Sequence, residues 1–569
     1  MESFVKAHLE RGARIPGGGS AAGERASILC PESVLVRRIP LVLLGSLVLT
    51  AAPAAAQDFF VPPTGFAVEN PVLRRIWALG IDSSGAPALA QVLLDSLGPR
   101  LTASPGMEAA QAWLLRTYAG WQVAARREQT GTWRAWRRGI THLDLVAPRV
   151  RSLEAQMLAW SAGTPGGRAV RGPVVALPDV ADSAAFAAWL PAARGSFVLV
   201  SFPQPTCRPD ASWERWAAPA TVDSLKARRA AALRAWNARI ARTGYAFAYG
   251  RHSLLRRLAQ AGVAGLLTSE WSRGWGTDRI FGSEAGDAPV VDVSCEDYGL
   301  LARLAEHRQG PVVELAAQAE AGGEVPVYNV VAELRGAELP NEYVVLSAHF
   351  DSWDGGSGAL DNGTGTIVML EAMRVLSLAY PHPRRTILAG HWTGEEQGLE
   401  GSSAFVADHR EIADSLQAAF NQDDGTGRVI SMSASGFTQA AANLARYLVA
   451  VPGELTGEIK FTFPGPSGPP DDYASFVGCG LPAFDLASAD WDYLAYTWHT
   501  SRDTYDKISF DDLEHNATLV AMLAYLASED PQFMPRERRT VYPPAAEGAP
   551  QRWLRPDCPR PDRRTPAPQ

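Results

Sequence analysis

Seven side chains could carry chemistry by type and spacing: His349, Asp351, Asp361, Glu395, Glu396, Asp423 and His499. Hydrolysing an amide with a metal takes a Lewis acid, an activated water and a proton shuttle, and two metals can share one carboxylate and one hydroxide. His349, Asp361, Glu396, Asp423 and His499 supply enough ligands for two ions and leave Glu395 as the base. Carboxylates with imidazole and no thiolate suit zinc and also admit manganese or cobalt. Asp351, two residues beyond His349 on an extended chain, lies on the same side and is placed to orient the imidazole. Taken singly, a His-x-Asp or Glu-Glu is more often a salt-bridged surface pair, Asp423-Asp424 reads equally as an Asx turn, and His499 as a core histidine. The set gains weight because its members fall, in order, at predicted strand ends or in glycine-bordered loops.

Those loops need elements to aim them. An apolar run at 343–348 predicts a buried strand that delivers His349, and a glycine-rich stretch at 355–363 carries Asp361 into a helical pattern at 364–378. A second apolar strand at 386–389 ends at Glu395-Glu396, and a third at 328–334 leads into the whole stretch. Upstream, helices are expected around 73–79 and 87–97, and Ser104-Pro105 is a helix start. A strand-like piece at 121–126 runs into a polar, Trp/Arg-rich connection. From 145 to 325 the chain turns alanine- and arginine-rich with short apolar strands, which predicts an inserted domain. Its basic stretch around Lys226, Arg229 and Arg239 reads as a solvated amphipathic helix face. A last helix is expected to open on Ser509 with Asp512 three residues on.

In bulk, 569 residues exceed one core, so at least two domains are expected. A net charge of -8 without a concentrated basic face argues against nucleic acid as a partner. Arg37-Arg38, an apolar run at 39–49 and Ala54-Ala55-Ala56 have the order of a secretion signal, giving an exported protein that starts at Gln57 and keeps no stable membrane anchor. The expected divisions are 1–56 extension and signal, 57–144 first catalytic part, 145–325 insert, 326–531 second catalytic part, and 532–569 a Pro/Arg-rich tail. Cys207, Cys295, Cys479 and Cys558 remain after export, and three pairings are open to them. Oligomeric state is open, with a homodimer compatible.

The motifs His349-Phe350-Asp351-Ser352-Trp353, Gly358-Ala359-Leu360-Asp361-Asn362-Gly363, Glu395 to Ser402, Asp423, and His499-Thr500 with Asp503 to Ile508 resemble those of the co-catalytic zinc exopeptidases. That family includes carboxypeptidase Q, the glutamate carboxypeptidases and bacterial zinc aminopeptidases, and Gly98-Pro99-Arg100-Leu101-Thr102 looks like an amino-terminal signature of the carboxypeptidase Q branch. The resemblance implies a phosphorylase/hydrolase-like α/β fold, a mixed central sheet flanked by helices, interrupted by a smaller protease-associated α+β domain. It implies two zinc ions, one on His349 and Asp423, the other on Glu396 and His499, bridged by Asp361, with Glu395 as general base. It also implies a cis peptide at Asp361-Asn362, and small peptides as substrates of an aminopeptidase or carboxypeptidase Q-like dipeptidase. The readings set against it are an inactive receptor-like protein and a single-zinc cyclase-like acyltransferase. Two departures stand out: Trp498 replaces the tyrosine before the last histidine, and Asp471-Asp472-Tyr473 replaces Ser-Asp-His. An aminopeptidase needs an acid for the substrate ammonium and a carboxypeptidase a base for the carboxylate; Arg428 and Glu400 are the near candidates in sequence.

Overall fold

Three apolar strands, Arg385–Trp392, Leu339–His349 and Leu416–Asn421, lie side by side and parallel. Their registers pair Trp392 with His349 and Asn421 with Ser347, so their carboxyl ends finish nearly level. The runs are apolar throughout because layers cover both faces: Val344, Val345, Leu346, Ile387, Leu388, Ala418, Ala419 and Phe420 are all buried. The fold is the expected mixed α/β one, with helices flanking the sheet. The computed structural model describes residues 70–247, 253–276, 278–283, 285–462 and 471–539. The export signal, the loop at 464–470 and the tail from 540 onward lie outside the described residues.

On one edge the sheet continues through Ala483–Ser488, parallel to Leu416–Asn421, then Val429–Ser433 and Lys460–Thr462. On the other, Val312–Leu334 runs antiparallel to Arg385–Trp392. The expected helices appear as Pro71–Gly80, Ala86–Gln91 with Val92–Leu97, Pro105–Gly120, Thr364–Ala379 and Phe510–Glu529. Ser104 caps its helix through Oγ, which accepts from the Met107 backbone N–H at 3.1 Å. Ser509 also occupies an N-cap but makes no side-chain cap hydrogen bond. Asp512, the other half of the expected box, instead accepts from Arg428 Nε at 3.2 Å, a tertiary partner that local sequence does not announce.

The Trp/Arg-rich connection is no loop. It is the body of a 24-residue strand, Ala124–Ala147, paired antiparallel with Val312–Leu334. Its polarity is accommodated because Arg138 pairs with both oxygens of the buried Asp354 carboxylate, at 2.8 and 2.6 Å, and lies 5.1 Å from the Trp136 ring centre, while Arg134 lies 5.2 Å from that of Trp160. Only Trp136, Leu143 and Leu145 bring side chains into the apolar interior there. Positions 145 and 325 both fall inside this ribbon, and the middle segment extends the sheet through Val170–Ala176, Phe197–Leu199, Gly265–Thr268, Val290–Val293 and Ala155–Met157. That segment buries a cluster of its own, including Phe186, Val198, Leu254, Leu258, Leu266 and Val290. It also contains the Cys207–Cys295 disulfide, one of the three pairings left open above. Among the described residues no helix is long and apolar enough to cross a membrane.

Candidate metal centre

His349 ends its strand with no exposed surface. Its Nδ1 lies 2.9 Å from the backbone carbonyl of Asp351, whereas the Asp351 carboxylate stands 3.7 Å away. Orientation of this imidazole therefore comes from the Asp351 backbone. The Asp351 carboxylate accepts from the Glu395 backbone N–H at 3.2 Å and from Thr102 Oγ1 at 3.3 Å, tying two loops together. With Nδ1 turned to a carbonyl, Nε2 is the nitrogen that faces the recess and that would ligate a metal.

Asp361 occupies the middle. Its Oδ1 is 3.2 Å from His349 Nε2, and its Oδ2 is 3.0 Å from His499 Nε2. Asp423 Oδ1 lies 3.1 Å from His349 Nε2, and Glu396 Oε2 lies 3.0 Å from His499 Nε2. Two groups result, His349-Asp361-Asp423 and Asp361-Glu396-His499, each with ligand atoms within 4.8 Å of one another. The Asp361-Asn362 peptide is cis. Asp361 and Leu360 before it are held by Asp503, whose carboxylate accepts from the Leu360 and Asp361 N–H groups at 2.6 and 3.1 Å. Gly358 makes the turn into this loop: its φ is 62°, and a Cβ there would meet Ser352 Cβ at 2.3 Å.

Arg100 locks the same loop from below. Fully buried, it donates from Nε to the Phe350 carbonyl at 2.6 Å, from Nη1 to Ser357 O at 2.9 Å and from Nη2 to Gly358 O at 2.8 Å. Burial drops its guanidinium to about 10, and the nearby Asp503, Asp351 and Asp361 oppose that drop. The Gly98-to-Thr102 motif was visible in the sequence, but not this task.

His499 is held differently. It sits on a loop with φ 62°, an uncommon conformation for a residue with a Cβ. Its carbonyl accepts from the Ile280 N–H of the middle segment at 2.7 Å. Its ring stacks on Trp498 at 3.8 Å and meets Phe281 edge-on at 5.0 Å. Arg279 lies over Trp498 at 4.7 Å and donates to Leu494 O at 2.9 Å, and Ser272 Oγ donates to Ala495 O at 2.8 Å. Nothing in the local sequence of 272–281 signals this support, which exists only through tertiary contact.

Among the described residues no lysine or arginine pairs with any of the five groups; their only ion-pair partners are one another and Asp351. Glu396 Oε1 is buried with no donor. Three carboxylates converge on two imidazoles in a dry recess; burial lowers both imidazoles, but the carboxylates outweigh it, raising His349 and bringing His499 to about 9. Carboxylate oxygens and imidazole nitrogens that converge this closely form a donor set that fits divalent ions. Burial raises the Glu396 carboxyl to about 7, opposed by His499. Burial, despite His349, also raises the Glu395 carboxyl, and Asp423, Glu396 and Asp472 push it in the same direction. Of the residues considered for substrate termini, Arg428 is engaged with Asp512, and Glu400 opens the helix Glu400–Asp408.

Residues 329–524, which contain all five groups, match the model of Peptidase family M28. Family match and donor set together make the chain a metallopeptidase. It is similar to carboxypeptidase Q of Pongo abelii, 23% identical over 445 residues covering 78% of this chain and 85% of the relative. Carboxypeptidase Q of Xenopus laevis is 24% identical over 447 residues, 78% of this chain and 86% of the relative. The solved structure of a Peptidase M28 precursor from Shewanella amazonensis SB2B covers 83% of this chain and 98% of its own, with TM-score 0.58 at 23% identity, a likeness of fold.

Proposed function

We propose that the chain is an exported zinc-dependent exopeptidase that hydrolyses small peptides, with His349 and Asp423 holding one ion, Glu396 and His499 the other, and Asp361 shared. The observation that carries this reading is the position of Asp361, each of whose oxygens faces a different imidazole. When bound, such ions supply Lewis acidity and an activated water. Glu395 takes the proton from water and returns it to the leaving amine, and its raised carboxyl suits a base that must also give the proton back. The Asp351 carboxylate sets the position of Glu395 through its backbone N–H, and the Asp351 carbonyl sets the His349 tautomer. Asp503 and Arg100 fix the loop that presents Asp361. Export is supported by the Arg37-to-Ala56 pattern, and an inserted protease-associated domain at 145–325 by the separate apolar cluster of that segment.

The test is hydrolysis of an unblocked tripeptide before and after exhaustive chelation, then with zinc, manganese or cobalt restored. Loss and recovery of activity are expected. Full activity in the chelated protein contradicts the reading. Amino-terminal sequencing of exported material is expected to begin at Gln57.

A further inference from the structure

A buried ion pair lies outside both ligand groups. Asp354, on the loop that runs from His349 to Asp361, is 7% exposed and receives a fork from Arg138: Nε donates to Oδ2 at 2.8 Å and Nη2 to Oδ1 at 2.6 Å. Arg138 Nη1 also donates to the Met157 carbonyl. On the next residue of the loop, the Gly355 carbonyl accepts from Gln156 Nε2 at 2.9 Å. Strands Ala124–Ala147 and Ala155–Met157 thus grip two successive residues of this loop.

The gripped loop bears on the opposite half of the centre. Trp353 lines the recess beside Asp361, Glu396 and His499, its ring 5.9 Å from that of His499 and 5.7 Å from that of Phe281. Gly355 abuts Ile280 so closely that a Cβ would meet Ile280 Cγ1 at 2.7 Å, and the Ile280 N–H holds the His499 carbonyl. Gly356 lies against the Asp503 carbonyl, where a Cβ would come within 2.6 Å, and the Ser357 N–H donates to that carbonyl at 2.9 Å. The loop therefore meets His499 through Trp353, through its backbone partner Ile280 and through the turn that follows it. His349, by contrast, is held by its strand and the Asp351 carbonyl, and Asp361 keeps its own tie to Asp503.

A bidentate guanidinium–carboxylate pair fixes orientation as well as distance, and removing one partner from a buried pair leaves the other charge uncompensated. Groups that orient a ligand from behind set metal affinity without touching the metal. We propose that Arg138, acting through Asp354, is a positioning residue for the metal centre: it seats Trp353 and its loop against His499 and so sets the zinc affinity of the Glu396–His499 half selectively. This rests on the zinc reading above.

The experiment is calorimetric zinc titration of the full chain, with thermal unfolding of the same chelated samples, in wild type, Arg138→Gln, Asp354→Asn and the double variant. Arg138→Gln is expected to weaken one zinc site ~10-fold and the other by less than ~2-fold, the lower end of what loss of such a support does to a metal ligand. The weakened site is the one that His499→Ala abolishes. Asp354→Asn behaves alike, and the double variant, whose two amides can bond to each other, falls well short of the summed losses. Equal weakening of both sites, or a lower unfolding temperature with both affinities unchanged, would reduce the pair to a structural role and overturn the proposal. So would losses that simply add in the double variant. Where Arg138→Gln does not fold, Arg138→Lys, which keeps the charge and loses the fork, decides on the same readout, and two unchanged affinities would overturn it. A wild type that binds no zinc removes the zinc reading and this proposal together; two wild-type sites, neither of which answers to Arg138, remove only the role of Arg138.

Discussion

The two histidines at the centre of this molecule are held by opposite means. His349 terminates a fully paired strand, its ring fixed by the carbonyl two residues on, and the loop that follows is nailed down by Arg100. His499 lies eleven residues past the end of its nearest strand, Ala483–Ser488, in a left-handed conformation, and depends on Ile280 and Phe281 from a segment more than two hundred residues upstream. Its Nδ1 is buried with no partner, whereas that of His349 has one. Sheet register positions the first group, and docking of the middle segment positions the second. The difference explains how one centre can combine a rigid half with a half whose geometry answers to another part of the chain.

The largest expected effect falls on the rigid half. Arg100→Met leaves the carbonyls of Phe350, Ser357 and Gly358 without their charged donor, and a loss of about 3 kcal/mol or more in unfolding free energy is expected from denaturant titration. A loss under about 1 kcal/mol would mean that the strand end needs no such lock.

Next is the base. Glu395→Gln should keep its metal and lose at least ~10²-fold in turnover, the lower end of what a positioned general base contributes. Glu396→Gln should instead weaken one metal site and recover in part with added zinc. Measuring metal content and rate in both variants assigns the two adjacent acids, and metal loss in the Glu395 variant alone would reverse them.

A smaller effect is pH-dependent and again belongs to the sheet-held side. His391, buried behind Phe350 with Nε2 2.7 Å from Tyr118 Oη, is pushed down to about 3 by burial. Between pH 6.5 and 3 the unfolded chain therefore binds a proton that the native one does not, so stability falls as pH drops through that window. The loss is about 2 kcal/mol at pH 5 relative to neutral, from a shift running down from an ordinary imidazole near 6.5. His391→Gln is expected to remove that share of the acid slope in thermal unfolding, and an unchanged slope would refute it.

The smallest effect probes the docked half. Phe281→Ala removes one ring packed against His499 and should weaken one metal site by ~5-fold while leaving the other alone, in keeping with about 1 kcal/mol for an aromatic pair. Isothermal titration with zinc separates the two sites. Equal weakening of both would erase the contrast between them.

The same contrast marks what could be read from the sequence. The strand ends at His349 and Glu395, the helix after Asp361 and the order of the seven residues were legible because apolar runs and glycine-rich loops are local signals. The 24-residue strand from Ala124 hid behind its arginines, since its partner lies far along the chain and the distant Asp354 with tryptophan faces, not an apolar alternation, accommodates the charge. Asp512 looked like a cap until Arg428 claimed it. Ile280 and Phe281 carried no signal at all, because their role exists only once two distant segments meet.

The account turns on two ligand groups meeting at Asp361, and counting bound zinc per chain in wild type, His499→Ala and Asp361→Asn tests it most directly. About two ions are expected in wild type, about one in His499→Ala, where His349, Asp361 and Asp423 remain, and fewer than one in Asp361→Asn, which loses the carboxylate that both groups use. A His499→Ala protein that still holds two ions, or an Asp361→Asn protein that holds as many as wild type, would contradict it.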